Sequence, residues 1–450
     1  MDEQTSGSQL ADRDDTADSE ACAAETIGSH KDIKEWDVIV AGAGLAGVLA
    51  AAKIHDAHPE WKILLIDKDA SAGGRIRTSD PSTDRWGYGL NRISKPLYDF
   101  WDQIIKMDPA SADLPTMVTT EQHQFGVLSA GKIIETPVKD IFGQHGARAI
   151  AGAAAVRDWK NVEKVAERKG AVAFSKAWKG TRKDPSAIVM EHLARSFGIP
   201  DLWTCGTDMV IGRLDQHSCH YQGDWQEAID LTLKYAEGQV TEKYNCRIAH
   251  AIKEGECWKL TTSQGEYKGN RLLVAQSPWD AIQWLPKSLC PLDLLSLTSK
   301  TKPVSILTLT EYMEQPVGLP DILVVPAESV QILVSGREVC FQVTLDYEVT
   351  LQAPSVVKAV RRLKRARSKL MKTVEGLSLK GDRISLVPVG WAQPTNFSVR
   401  KWATKISLDR INESKLAFCG DSYGGSIHGD ENFIDSVLAA TSALSQESVQ

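Results

Sequence analysis

The 450-residue chain has no C-x-x-C pair: its eight cysteines, from Cys22 to Cys419, are scattered. That spacing offers neither a zinc site nor a thioredoxin-like motif, and free thiols in a reducing compartment are expected. H-E-x-x-H and G-x-S-x-G are also missing, so zinc and serine-hydrolase mechanisms find no support and no metal is expected. His220 and His428 have no partner at catalytic or metal spacing. No apolar run approaches the roughly 18 residues that span a bilayer. The first residues lack a basic stretch followed by an apolar one, so they do not read as a secretory signal. A soluble cytoplasmic protein with no membrane span is expected. Positive charge is not in excess either: the net charge is −6, which argues against a general affinity for nucleic acid. There is no internal repeat.

Hydrophobic residues make up 42% and charged residues 24% of the chain, as in ordinary globular proteins of several domains. Residues 1–34 are acidic, rich in Ser, Ala and Thr and nearly free of aromatics. Such a segment cannot bury enough apolar surface to offset its ordering entropy, and a disordered tail is expected. Order is expected from Trp36. A short strand from Trp36 to Ala41 leads into a helix of small residues, Leu45 to about His58, and a second apolar strand from Lys62 to Asp67. This is a βαβ opening of the buried, parallel kind. Strands dominate 240–285 and 300–345, and the chain closes on a strand, a loop and a helix at 415–445. A basic helix over Lys358–Lys372 carries Arg361, Arg362, Lys364, Arg365, Arg367 and Lys369. Its inward stripe would be Val360, Leu363 and Leu370, with the charges on a solvated face. A membrane or nucleic-acid contact is the other reading of that face.

The loop between the first strand and helix reads Gly42-Ala43-Gly44-Leu45-Ala46-Gly47, a G-x-G-x-x-G, and the second strand ends on Asp67. This is the setting a dinucleotide site requires. Gly42 permits the tight turn, Gly44 lets the backbone approach a pyrophosphate, and Gly47 lets helix and strand pack closely. The helix N-terminus faces the pyrophosphate with free N–H groups and a positive dipole end. Asp67 can accept from the ribose hydroxyls.

Shortly after come Gly73-Gly74-Arg75-Ile76-Arg77-Thr78. This stretch resembles the G-G-R-x-x-[ST] of the FAD-dependent amine oxidase superfamily, nearest to its L-amino-acid oxidase-like members. Tyr221 to Ile229 is similar to the family's segment that returns to the flavin domain. Asn245 to Ile252 and Leu272 to Pro278 resemble its adenine-contacting strands, and Leu416 to Asp421 resembles its C-terminal acidic motif. The resemblance implies bound FAD, not covalently attached. It assigns cofactor contacts to Gly42, Ala43, Gly44, Leu45, Ala46, Gly47, Asp67, Lys68, Gly74, Arg75, Asn91, Arg92, Ile248, Gly420, Asp421, Phe433 and Ile434.

The resemblance also implies a substrate site. Gly89 to Arg92 is similar to the family's E-L-G-x-x-R, whose arginine grips a substrate carboxylate, and a guanidinium does this bidentately. Asn432 to Val437 resembles G-W-I-D-x-[AT], with Phe433 as the pocket wall. Trp391 and Tyr423 would add aromatic enclosure, and Lys302 stands near the family's lysine that holds a water at flavin N5. Gly87 and Asn432 depart from the pattern, where the family carries an acid and a glycine. Arg92 and Lys302 also read as surface residues, and Phe433 as core.

The expected fold is α/β: a Rossmann-like FAD-binding domain of the two-dinucleotide-binding type, interleaved with an α+β substrate domain. The first would take 35–95, 220–290 and 381–450, and the second 96–219 and 291–380. The implied activity is oxidation of a small amine or L-amino acid, with a hydride passing to flavin N5 and O2 reoxidising the flavin to give H2O2. The partners would be a small-molecule substrate and O2, with no nucleic acid. Two alternatives stay open: an FAD-dependent desaturase or dehydrogenase of an apolar carotenoid- or porphyrinogen-type metabolite, and a non-catalytic flavin-binding relative.

Overall fold

The structure, a computed structural model, describes residues 35–76, 92–107, 118–120, 124–137, 174–177, 181–196, 199, 201–206, 220–222, 225–287, 292–300, 303–391, 415–423 and 429–445. The acidic segment 1–34 lies outside the described residues. Helices that carry the packing are α1 (Leu45–Ala57), α2 (Lys95–Ile105), α3 (Pro185–Ser196), α4 (Trp225–Tyr235), α5 (Ala353–Thr373) and α6 (Gly429–Ser445).

Strand Ile63–Ile66 is buried at every position, which requires cover on both faces of its sheet. It pairs in parallel with Glu35–Ala41 and with Val240–Lys243. Glu35–Ala41 pairs in parallel with Gly265–Val274, which pairs in parallel with Leu416–Phe418. Gly265–Val274 also ends an antiparallel meander through Cys257–Thr262 to Ile248–Glu254. The result is a seven-stranded sheet. Helices α1, α2, α4 and α6 share one apolar core on it. The other core gathers Trp258, Leu260, Trp284, Leu294, Phe418 and Tyr423.

Small residues make α1 what it is. Ala46, Gly47, Ala50, Ala51 and Ala52 are buried along with Val48, Leu49 and Ile54, so the helix lies close against the sheet. In α2, Leu97, Trp101, Ile104 and Ile105 are buried at helical spacing. The Trp101 indole N–H donates to Thr232 Oγ1 of α4 at 2.7 Å, so the buried ring keeps its polar partner. Helix α2 therefore belongs to this first layer, although the sequence reading ended that segment at residue 95.

A second seven-stranded sheet runs Leu379–Trp391, Val304–Met313, Glu338–Asp346, Val330–Ser335, Ile322–Val325, Gln124–Ser129 and Lys132–Pro137. All its pairs are antiparallel except Ile322–Val325 with Gln124–Ser129. Leu379–Trp391 is an edge strand here, so residues 381–391 pair within the second sheet, whereas the sequence reading had grouped them with the first. Helix α3 covers one end of it with Val189, Met190 and Leu193 packed near Phe125 and Ile322.

Helix α5 buries Ala359, Leu363, Ala366 and Leu370 against this sheet; Val360 is only half-buried. Its charges are not all solvated. Arg367 Nε donates to both oxygens of the buried Glu311, at 2.5 and 2.7 Å. Arg365 and Lys369 hold the two oxygens of buried Glu328 at 2.7 and 2.6 Å, and Arg362 donates to the Glu328 and Ser329 carbonyls. Burial alone would raise the Glu328 carboxyl, but Lys369 and Arg365 outweigh it and hold the carboxyl below its usual range. A third, small sheet joins Arg92–Ser94, His220–Gln222 and Val118–Thr120.

Candidate dinucleotide site

The glycine loop closes between the first two strands. Gly42 N–H donates to Ile66 O at 2.7 Å. Gly42 has φ +110, and a Cβ there would lie 2.8 Å from Ala275 O. At Gly47 a Cβ would lie 1.8 Å from Gly42 O, closer than any relaxation could absorb. Gly44 is different. Its φ of −68 and ψ of 175 suit any residue, and a Cβ there would meet no atom within 4 Å. Packing inside the protein explains two of the three glycines and leaves the third as open space.

That space lies at the N-terminus of α1. Gly44 is the N-cap, no side chain caps the helix, and its first turn holds no acid. The first intrahelical bond runs from Val48 N–H to Gly44 O at 3.0 Å. The N–H groups before it have no partner within the helix, and they sit at its positive end. Helix α6, by contrast, begins with Asp430 and Glu431.

Asp67 closes the second strand as expected. One carboxylate oxygen accepts Ala43 N–H at 2.6 Å and the other accepts Asp69 N–H at 2.8 Å. Each oxygen keeps another lone pair for a hydroxyl. Burial raises this carboxyl above its ordinary range, while the two N–H groups and Lys68 pull against that. Lys68 itself pairs with Asp280 at 3.2 Å.

Two distant segments meet the loop. Gly73 N–H donates to Ala43 O at 2.8 Å, and Gly74, at φ +54, would put a Cβ 3.0 Å from Gly44 Cα. From there Arg75 Nη2 donates to Asp421 Oδ2 at 2.8 Å. Asp421 follows Gly420, whose φ is +129 and whose N–H donates to Ser436 Oγ of α6 at 2.9 Å. The Ser436 hydroxyl lies 2.7 Å from the Phe433 carbonyl it donates to. The glycine loop, the Gly73–Arg75 turn and Gly420–Asp421 thus form one cluster, joined to the first turns of α6.

Other predicted residues stand elsewhere or apart. Ile248 is buried at the start of its strand. Arg92 pairs through its backbone with Gln222. Ser94, two residues on, donates its N–H to Asp430 Oδ2 at 3.0 Å, so the small sheet is tied to the start of α6. Phe433 and Ile434 are half-buried against the first core. Trp391 pairs with Val304 at the end of the second sheet's edge strand. Tyr423, expected to add aromatic enclosure, is fully buried, packs on Phe418 and donates its hydroxyl to Gln276 O at 2.8 Å. Asn91, Lys302, Gly87 and Gly89 lie outside the described residues. Sequence reasoning missed the roles of Ser436, whose partners Phe433 and Gly420 are 3 and 16 positions away, of Asp430, whose partner Ser94 is 336 positions away, and of Ala275, which backs Gly42. Only the serine had a local signal, its place in the segment after Asn432. Among the described residues no His, Cys, Asp and Glu cluster could hold a metal ion, and no helix is long and apolar enough to cross a membrane.

Residues 40–104 match the NAD(P)-binding Rossmann-like domain family. No curated protein matches the chain in sequence. Solved structures do match in fold. An oxidoreductase from Methanosarcina mazei is 12% identical with a TM-score of 0.61, over 90% of this chain and 100% of its own. Cyclohexylamine oxidase from Brevibacterium oxydans IH-35A is 13% identical with a TM-score of 0.60, over 92% and 99%. A conjugated-linoleic-acid-producing (CLA-producing) fatty acid isomerase from P. acnes is 12% identical with a TM-score of 0.58, over 90% and 98%. The resemblance read from the motifs is therefore borne out in architecture: the chain shares the α/β fold of these solved structures, cyclohexylamine oxidase among them, and carries a Rossmann-like domain over residues 40–104.

Proposed function

We propose that the chain binds FAD at the cluster around Gly44 and oxidises a small amine or L-amino acid. When bound, the flavin would supply the redox chemistry, a two-electron oxidation at the substrate carbon bearing the amine, with O2 as final acceptor and H2O2 as its product. The observation that carries the reading is Gly44, a residue that no contact within the protein requires to be glycine, at the start of an uncapped helix.

The chain's own part is binding and orientation. Leu45, Ala46 and Gly47 offer backbone N–H groups to a pyrophosphate. Asp67 has lone pairs left for a ribose. Arg75 and Asp421, already paired, offer a guanidinium and a carboxylate to the phosphate and polyol parts. Arg92 would hold a substrate carboxylate, with the Ser94–Asp430 bond fixing its strand against α6. Orientation of this kind can account for much of a rate enhancement. A neutral amine needs no general base. The similarity to cyclohexylamine oxidase supports the amine class.

The absorption spectrum of the purified protein tests the cofactor. Flavin bands between the near-ultraviolet and the blue are expected, and a colourless protein that takes up no FAD when offered it ends the proposal. Anaerobic mixing with the L-amino acids and simple amines tests the substrate. At least one is expected to bleach the flavin, with the Arg92→Ala variant losing most of that rate for carboxylate-bearing substrates. Bleaching by none refutes the substrate class but not the cofactor.

A further inference from the structure

Helix α5 runs 21 residues, Ala353–Thr373, with eight basic side chains and no acidic one, in a chain whose net charge is −6. Four of the eight serve the fold: Arg362, Arg365, Arg367 and Lys369 hold Glu311, Glu328 and nearby carbonyls. The side chains of Lys358, Arg361, Lys364 and Lys372 make no hydrogen bond or ion pair among the described residues, and all four are exposed. At 100° per residue these four and the half-exposed Arg365 fall within an arc of about 120°, opposite the buried stripe. From Lys358 to Lys372 the arc is about 21 Å long at 1.5 Å per residue. Solvated helices usually mix the two signs at i, i+4 spacing; this face holds one sign only.

Two exposed aliphatic residues join it. Val357, 49% exposed, lies inside the arc, and Leu351, 72% exposed, lies just before the helix. We infer that this face of α5 is a docking surface for an anionic phospholipid leaflet. The inward stripe is committed to the second sheet, so the helix does not insert; it lies flat, its cations at the headgroups and Leu351 and Val357 at the acyl boundary. Four or more clustered Lys and Arg on such a helix suffice for binding that depends on anionic lipid. A nucleic acid fits less well. The arc is convex, holds no aromatic side chain to stack on bases, and belongs to a chain with a pI near 6.0.

Sedimentation of the purified full-length protein with vesicles tests this. Binding is expected to phosphatidylcholine vesicles containing phosphatidylserine, none to phosphatidylcholine alone, and raised salt should release it. The Lys358→Glu/Arg361→Glu/Lys364→Glu variant should keep its melting temperature and lose at least about 100-fold in partitioning. Leu351→Ser should weaken binding by a few fold without removing the salt dependence. The inference is overturned if anionic vesicles bring down no more protein than neutral ones. It is also overturned if the triple variant binds as the parent does, or if RNA is bound and anionic vesicles are not.

Discussion

The two sheets solve the same problem in opposite ways. Each places polar groups next to a large apolar core. In the second sheet the protein satisfies them itself: Glu311 and Glu328 are buried, and α5 reaches down with Arg367, Arg365 and Lys369 to neutralise them. In the first sheet no side chain caps the head of α1, and a Cβ at Gly44 would meet no described atom within 4 Å. Charges that are matched internally build a scaffold. Donors that no side chain caps at a helix start leave room for an anion.

That contrast can be broken by substitution, beginning where the effect is greatest. Gly47→Ala puts a methyl group 1.8 Å from Gly42 O, and should cost more than about 4 kcal/mol or prevent folding, as read by denaturant melts and soluble yield. Next, Arg367→Ala leaves Glu311 buried without its partner and should cost about 3–5 kcal/mol. The double replacement Glu311→Leu/Arg367→Met should recover most of that loss; if it does not, the pair does more than neutralise a charge.

Gly44→Ala should behave as the opposite of Gly47→Ala. The apoprotein should melt within about 1 kcal/mol of the parent or slightly above it, while FAD titration shows at least about a 100-fold weaker affinity, close to 3 kcal/mol at 1.4 kcal/mol per tenfold. Equal affinity would mean the gap at Gly44 serves no ligand.

The last test is of pH. Burial raises the Glu338 carboxyl to about 7, so the folded state holds a proton that the unfolded chain releases near pH 4.5. Stability therefore falls as pH rises from about 4.5 to 7. Glu338→Gln should flatten that slope and stabilise the protein by about 1–3 kcal/mol at pH 8 relative to pH 5. A carboxylate clamped like Glu328 has the reverse dependence, contributing stability that is lost as the medium turns acid.

The first layer was legible because its signals are local. Gly42, Gly44, Gly47 and Asp67 fall within 26 residues of one another, and each answers to a steric or hydrogen-bonding need of one turn. Gly73–Arg75 and Gly420–Asp421 were found by resemblance, and the structure brings both to the loop. The second sheet was legible as strands but not as an assembly. Nothing in Leu379–Trp391 says that it pairs with Val304–Met313 rather than with the first sheet, because both offer an apolar neighbour. The charges of α5 were visible, but their burial was not, since Glu311 and Glu328 lie dozens of residues upstream. Helix α2 was assigned beyond the first layer for the same reason: its partners are Thr232 and α6. Tyr423 reads as an aromatic near a ligand, yet only the fold shows its hydroxyl turned to Gln276.

The bond from Arg75 to Asp421 spans 346 positions, and the strand that carries the acid, Leu416–Phe418, enters the sheet beside residues made far earlier. A ribosome that has delivered the glycine loop has therefore delivered only part of the cluster. The acid arrives more than 340 positions later, so a chain truncated before residue 416 should lack both the strand beside Gly265–Val274 and the carboxylate that answers Arg75.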